Sequence, residues 1–263
     1  MKPITKLPKA VKTSIRYVLA DIDDTLTLNG RLPAAVFAAM ERLQKAGIRM
    51  IPITGRPAGW CDHIARMWPV DAIVGENGAF YFYYDDHQRK MHRRYFIAEE
   101  QRSADRDRLA NLKMEILKKI PGCRVSADQG YREADLAIDY CEDVAPLPMA
   151  EVDRIVALFE AAGARAKISS IHVNGWFGDY DKLAMTRMLF AEVFKDDLEA
   201  VKEDVIFIGD SPNDGPMFQF FPYAVGVANM SQFKEKIKHS PAYVTDQEGG
   251  YGFAEMVDVI LAR

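Results

Sequence analysis

The stretch from 14 to 78 constrains the fold more than any other part of the chain. Three short apolar runs, "SIRYVLADI", "IRMIPITG" and "DAIVG", read as strands apolar on both faces, as buried parallel strands are. Between them, "LPAAVFAAMERLQKAG" and "PAGWCDHIARMW" carry helical spacing, the first stopping at Gly47 and the second starting near Pro57. Strand, helix, strand, helix, strand predicts a parallel α/β sheet covered by helices, with right-handed crossovers.

The pattern changes at "GENGA" (75–79). "FYFYY" and "HRRYFI" predict an antiparallel pair around "DDHQRK". "RDRLANLKMEILKKI" and "MAEVDRIVALFEAAG" predict helices, and "ADLAIDY", "RAKIS" and "SIHVNGW" predict strands. The βα alternation resumes after "GDYD" with helix "KLAMTRMLFAEVF", strand "DVIFIGD", a helix from about Asn213, strand "YAVGV" and helices near 232 and 251. The expected organisation is an α/β, Rossmann-like core over 1–79 and 179–263, interrupted by an α+β insert over 80–178.

Three core strands end in polar residues. They are Asp21-Ile-Asp23-Asp24-Thr25, Thr54-Gly55-Arg56, and Gly209-Asp210-Ser211-Pro212-Asn213-Asp214. In an open α/β sheet the carboxyl ends of neighbouring strands meet at one crevice. Asp21, Asp23, Asp210 and Asp214 are therefore expected close together, where buried like charges require a cation. Carboxylate oxygens without a His/Cys cluster favour Mg²⁺. Lys182, at the start of the helix after the insert, adds a point charge suited to phosphate.

In order, "DIDDTLT", "TGR", the lysine at 182 and "GDSPND" resemble the four motifs of the haloacid dehalogenase-like (HAD) hydrolases. The position of the insert, together with "GENGA", resembles the Cof-type, subfamily IIB phosphatases, whose relatives include sucrose-phosphate phosphatases and phosphomannomutases. The resemblance implies a Mg²⁺-dependent phosphomonoesterase working through an aspartyl-phosphate. Asp21 would be the nucleophile and a metal ligand. Asp23 would be the acid and base, with its backbone carbonyl on the metal. Thr54 and Lys182 would hold the phosphoryl group, with Gly55, Arg56 and Asn213 in the substrate-binding set. Asp210 and Asp214 would complete the metal site, and the insert would act as a cap that sets specificity. Many members carry Gly where Asp24 stands, and Asp24 receives no role.

The expected substrate is a small phosphorylated metabolite, first of all a sugar phosphate. A phosphomutase or phosphotransferase, and a non-catalytic phospho-ligand sensor, are the alternatives. A net charge of −4 without a basic block argues against nucleic acid or an anionic membrane as partner. The N-terminus lacks the apolar centre of a signal peptide, and Cys61, Cys123 and Cys141 lack CxxC spacing, so the expected location is a reducing cytoplasm. Oligomeric state is left open. His172 and Asn174 fall together on a polar strand face, which is expected to meet solvent, with a ligand as the alternative. Arg102, Arg106 and Arg108 are expected to decorate a helix, with binding of a second anionic group as the alternative. Trp176, Phe177 and Tyr180 stand between packing and substrate contact.

Overall fold

The structure is a computed structural model that describes residues 1–169, 171–233 and 238–262. Its strands are β1 (Lys2–Pro3), β2 (Tyr17–Ala20), β3 (Arg49–Pro52), β4 (Ile73–Gly75), β5 (Phe80–Asp85), β6 (Lys90–Tyr95), β7 (Arg124–Val125), β8 (Asp135–Asp139), β9 (Arg165–Ile168), β10 (His172–Trp176), β11 (Val205–Gly209), β12 (Val225–Gly226) and β13 (Tyr243–Val244). The helices are α1 (Lys9–Ser14), α2 (Ala34–Lys45), α3 (Ala58–Met67), α4 (Glu99–Lys119), α5 (Met149–Ala161), α6 (Lys182–Leu189), α7 (Leu198–Val201), α8 (Gly215–Phe220) and α9 (Gly249–Leu261).

Among the described residues the main sheet is parallel throughout, in the order β1-β13-β12-β11-β2-β3. Every side chain of β2 and β11 is buried, which is why both strands read as unbroken apolar runs. α2 turns Val36, Ala39, Met40 and Leu43 inward at 3.6-residue spacing, and Gly47 follows with φ +74°. β4 extends the sheet beyond β3 through a single parallel bridge, Ile53 to Val74. The antiparallel pair β5–β6 is hydrogen-bonded to β4, and Phe80 and Phe82 stack at 4.3 Å within the core.

A separate antiparallel sheet, β7-β8-β10-β9, is covered by α4 and α5 and has its own apolar cluster around Leu112, Ile138, Ile155 and Phe159. The expected mixed α/β architecture with an antiparallel insertion is present. The helix expected near 232 begins as a 3₁₀ turn, Ala228–Phe233, and then passes outside the described residues. Sequence pattern missed β1, whose two residues pair with β13 at the sheet edge. No helix among the described residues is long and apolar enough to cross a membrane.

Candidate active site

The order β11-β2-β3 puts the ends of three sequence-distant strands side by side. Asp210 follows β11, Asp21 follows β2 and Thr54 lies just beyond β3. Carboxylate atoms of Asp21, Asp210 and Asp214 lie within 4.8 Å of one another, and all three residues are buried. Lys182 Nζ donates to Asp21 Oδ1 at 2.7 Å and to Asp214 Oδ1 at 2.8 Å.

The local chain explains how each group arrives. Asp181 caps α6, its side chain accepting the Ala184 N–H at 2.8 Å, so Lys182 is the first helical residue. The loop beneath it needs Gly78, at φ +107°, because a Cβ there would lie 2.1 Å from the Asp181 carbonyl oxygen. On the other side, the Asp214 carboxylate accepts the Asp210 N–H at 3.3 Å and presses on Gly209, where a Cβ would sit 2.4 Å from Asp214 Oδ2. Asp24 adopts φ +55°, a left-handed conformation that Asp tolerates better than most side chains. Its N–H donates to Thr27 Oγ1 and its carbonyl accepts from Asn229 Nδ2, both at 2.9 Å.

Burial pushes the Asp21 carboxyl up to about 7 against the pull of Lys182, with Asp214 and Asp23 adding to the rise. Burial likewise holds Asp210 well above the usual carboxylate range, and neighbouring Asp21 and Asp214 reinforce it. The Lys182 ammonium, despite burial, is held above its ordinary value by Asp21 and Asp214. One ammonium thus answers three carboxylates at the cluster, leaving a deficit of positive charge. Hard oxygen donors and that deficit fit a divalent cation such as Mg²⁺.

Asp23 points elsewhere. Arg56 Nε lies 3.0 Å from both of its oxygens, and Nη2 is 2.7 Å from Oδ1. Arg56 also lies 3.6 Å from Asp128 and from Glu142 of the insert, so this pair ties the two parts of the chain together. Thr54 is fully buried, its hydroxyl accepting the Arg56 N–H at 3.0 Å. A cavity of about 30 Å³ above the cluster is lined by Asp21, Asp23, Gly55, Arg56, Asp210 and Asn213, but not by Thr54. Asn213 Oδ1 accepts from the Ser211 hydroxyl at 2.5 Å.

The insert closes this cavity with His172 and Asn174, which are 2% and 4% exposed. The expectation that their strand face meets solvent is therefore corrected. Its polarity reflects the carboxylate crevice it covers, with Asn174 Nδ2 donating to Asp135 Oδ2 at 2.9 Å and His172 Nε2 lying 2.8 Å from Glu142 Oε2. Arg102 is corrected as well, being buried with its guanidinium 3.4 Å from the Tyr95 ring centroid. Trp176, Phe177 and Tyr180 are buried in packing, with Trp176 and Tyr180 stacked at 5.7 Å.

Two residues of the site region carry no motif that sequence reasoning assigned a role. Glu76, fully buried at φ +43°, accepts the N–H groups of Ala58 (2.9 Å), Glu133 (2.9 Å), Ala134 (2.7 Å) and Asp135 (3.1 Å). Burial pushes this carboxyl up to about 8, with Asp135 adding and Arg132 opposing. Arg132 is held by Asp128 and Asp135 and donates to the Gly55 carbonyl at 3.1 Å. The available signal was "GENGA" itself, a charged residue set between glycines at a strand end.

The sequence matches the haloacid dehalogenase-like hydrolase family over residues 18–108 and 191–257. The chain belongs to this family. It is 25% identical over 252 residues to phosphoglycolate phosphatase 1 of Saccharolobus solfataricus, covering 94% of this chain and 96% of that protein. The fold superposes on a Thermoplasma acidophilum protein with a TM-score of 0.71 at 19% identity, covering 94% and 98% of the two chains. It also superposes on the sucrose-phosphatase of Synechocystis, in complex with sucrose and phosphate, with a TM-score of 0.63 at 14% identity over 93% and 97%. The two neighbours share the mixed α/β fold described above.

Proposed function

We propose that this HAD-type phosphatase is a Mg²⁺-dependent phosphomonoesterase that acts through an aspartyl-phosphate on a small phosphorylated metabolite, with a sugar phosphate as the first candidate. The observation that carries the reading is Lys182 bridging Asp21 and Asp214 beside Asp210, at the ends of adjacent parallel strands. Asp21, Asp210, Asp214 and the Asp23 carbonyl would hold the metal. When bound, Mg²⁺ would supply positive charge against the phosphoryl oxygens and the carboxylates.

The chain's own groups account for the rest. An Asp21 oxygen attacks phosphorus, the ester P–O bond breaks, and the departing oxygen takes a proton from Asp23. Water then attacks the acyl phosphate, gives its proton to Asp23, and releases inorganic phosphate with Asp21 restored. Lys182 keeps Asp21 oriented and neutralises charge on the transferring group. Arg56, bonded to both oxygens of Asp23, positions that carboxylate, while Gly55 and Asn213 line the substrate's approach. The inserted segment 80–178, with the β5–β6 hairpin as its stem, serves as the cap.

The Saccharolobus relative's name makes 2-phosphoglycolate a second candidate. The test is inorganic phosphate release, with and without Mg²⁺, over a panel of sugar phosphates, 2-phosphoglycolate and 4-nitrophenyl phosphate. Asp23→Asn should depress alkyl esters far more than the nitrophenyl ester, whose leaving group needs no proton. Equal losses across the panel would remove Asp23 as the acid. Saturable binding without phosphate release would point to a sensor, and phosphate retained on a rearranged product to a mutase.

A further inference from the structure

The turn after β4 brings one more polar side chain to the carboxylate crevice. Asn77 is 6% exposed and stands at φ +57°, its N–H donating to the Thr54 carbonyl at 3.0 Å. Its side chain lines the cavity above the cluster together with Asp21, Asp23 and Asp210. It also lines a neighbouring cavity bounded by Lys182, Leu183 and Met217. The amide nitrogen Nδ2 is buried and has no hydrogen-bond partner among the described residues.

Backbone conformation alone does not account for this residue. A left-handed φ favours Asn or Gly, and glycine would satisfy it without burying an amide. A buried donor left unpaired costs about 1–3 kcal/mol, so its presence calls for a partner that arrives with a ligand. Gly55 makes room for this amide. Its own φ is not positive, yet a Cβ there would stand 3.2 Å from both Oδ1 and Nδ2 of Asn77. The missing side chain at 55 therefore serves the amide rather than the backbone.

The donors around it are already engaged. Lys182 is shared between Asp21 and Asp214, Arg56 holds Asp23, Asn174 donates to Asp135, and the Ser211 hydroxyl donates to Asn213. Asp21 and Asp210 line the same cavity, yet neither accepts from Asn77 Nδ2, so this donor is left for a group that enters from outside. A transferring phosphoryl group spreads its charge over three equatorial oxygens and gains from donors fixed in advance around them. A neutral amide can serve there without competing with the cation for the carboxylates.

We propose that Asn77 is a further catalytic residue, its Nδ2 donating a hydrogen bond to a non-bridging oxygen of the phosphoryl group. The proposal rests on the phosphatase reading above. The amide keeps both of its protons throughout. It holds the phosphoryl oxygen while the ester bond breaks and the bond to Asp21 forms. Because it meets the phosphoryl group and not the departing alcohol, its contribution is the same for every ester.

The test compares wild type, Asn77→Gly and Asn77→Asp in the Mg²⁺-loaded protein, with thermal melts to confirm folding. Glycine keeps the left-handed backbone and removes the amide, whereas aspartate keeps the shape and removes the donor. By calorimetry, Asn77→Gly should bind inorganic phosphate roughly ten- to a hundredfold more weakly than wild type, the range for one hydrogen bond to a charged group. Asn77→Asp should bind it more weakly still. The kcat/KM of Asn77→Gly should fall by one common factor in that range for a sugar phosphate, 2-phosphoglycolate and 4-nitrophenyl phosphate. In wild type, the Asn77 side-chain amide resonance, assigned by its loss in either variant, should move downfield as phosphate binds. Phosphate affinity unchanged in Asn77→Gly, or an amide resonance that phosphate leaves in place, overturns the proposal. So does a loss confined to one class of ester, which would put Asn77 on the leaving group. No turnover of any ester by the wild type overturns the phosphatase reading, whereas the phosphate measurements judge the donor without turnover.

Discussion

Asp21→Asn should abolish phosphate release and, without divalent cations, make the protein more stable. The Asp21 carboxyl stands at about 7 in the fold against 3.8 when unperturbed. At pH 8 its ionised form is therefore disfavoured in the native state by about 4 kcal/mol. Asparagine keeps an oxygen for Lys182 but loses the charge assistance of that 2.7 Å bond, about 1–2 kcal/mol. The net gain is on the order of 2–3 kcal/mol, or roughly 5–10 °C in Tm for a chain of this size.

The pH dependence provides an internal check. Between about pH 4 and 7 the native wild type keeps a proton that the unfolded chain has released, so its stability falls as pH rises and levels off above 7. The advantage of the variant should accordingly be small at pH 4 and full at pH 8. Mg²⁺ should shrink it, because a cation relieves the same repulsion in the wild type. Thermal melts in EDTA and in Mg²⁺ across this range, paired with phosphate release, read all of these effects. A variant no more stable than wild type at pH 8 in EDTA would refute the account of three carboxylates crowded around one ammonium. Phosphate release at the wild-type rate would refute Asp21 as nucleophile.

Ca²⁺ should raise Tm about as much as Mg²⁺ yet inhibit turnover in competition with it, since the larger ion readily takes both oxygens of a carboxylate; turnover in Ca²⁺ near the Mg²⁺ rate would contradict this. Gly78→Ala should cost roughly 2–5 kcal/mol in denaturant melts and slow turnover, because the added Cβ at φ +107° meets the backbone just before Lys182; wild-type kinetics would show that the Lys182 position tolerates that shift. Glu76→Ala strands four N–H groups, those of Ala58 and Asp135 buried and those of Glu133 and Ala134 part-buried, so it should destabilise by about 3 kcal/mol, speed amide exchange at residues 133–135 and flatten discrimination among esters. Unchanged exchange there would show that Glu76 does not fasten the insert to the core.

Much of the fold was legible because its signals are local. Apolar runs of four or five residues, helices with 3.6-residue spacing and glycine stops require no knowledge of distant chain, and β2, β3, β11, α2 and α3 lie where those patterns put them. The strand-end motifs were legible for a related reason: polar groups that break an apolar run need an explanation, and the strand order of an open sheet supplies it. β1 escaped because two residues carry no periodicity, and only β13 makes them a strand.

The sequence by itself determined the α/β alternation, the inserted segment and the set of carboxylates and lysine that could meet. Tertiary structure alone decided the partners: Arg56 on Asp23, Lys182 shared between Asp21 and Asp214, and Glu76 beneath the backbone of 133–135. It also decided that His172 and Asn174 face the crevice and that the buried Asn77 amide nitrogen beside it has no partner among the described residues. The physical reason is range. Backbone periodicity is set by neighbours a few residues apart, whereas a side chain's charge partner and solvent exposure depend on which distant surface folds against it.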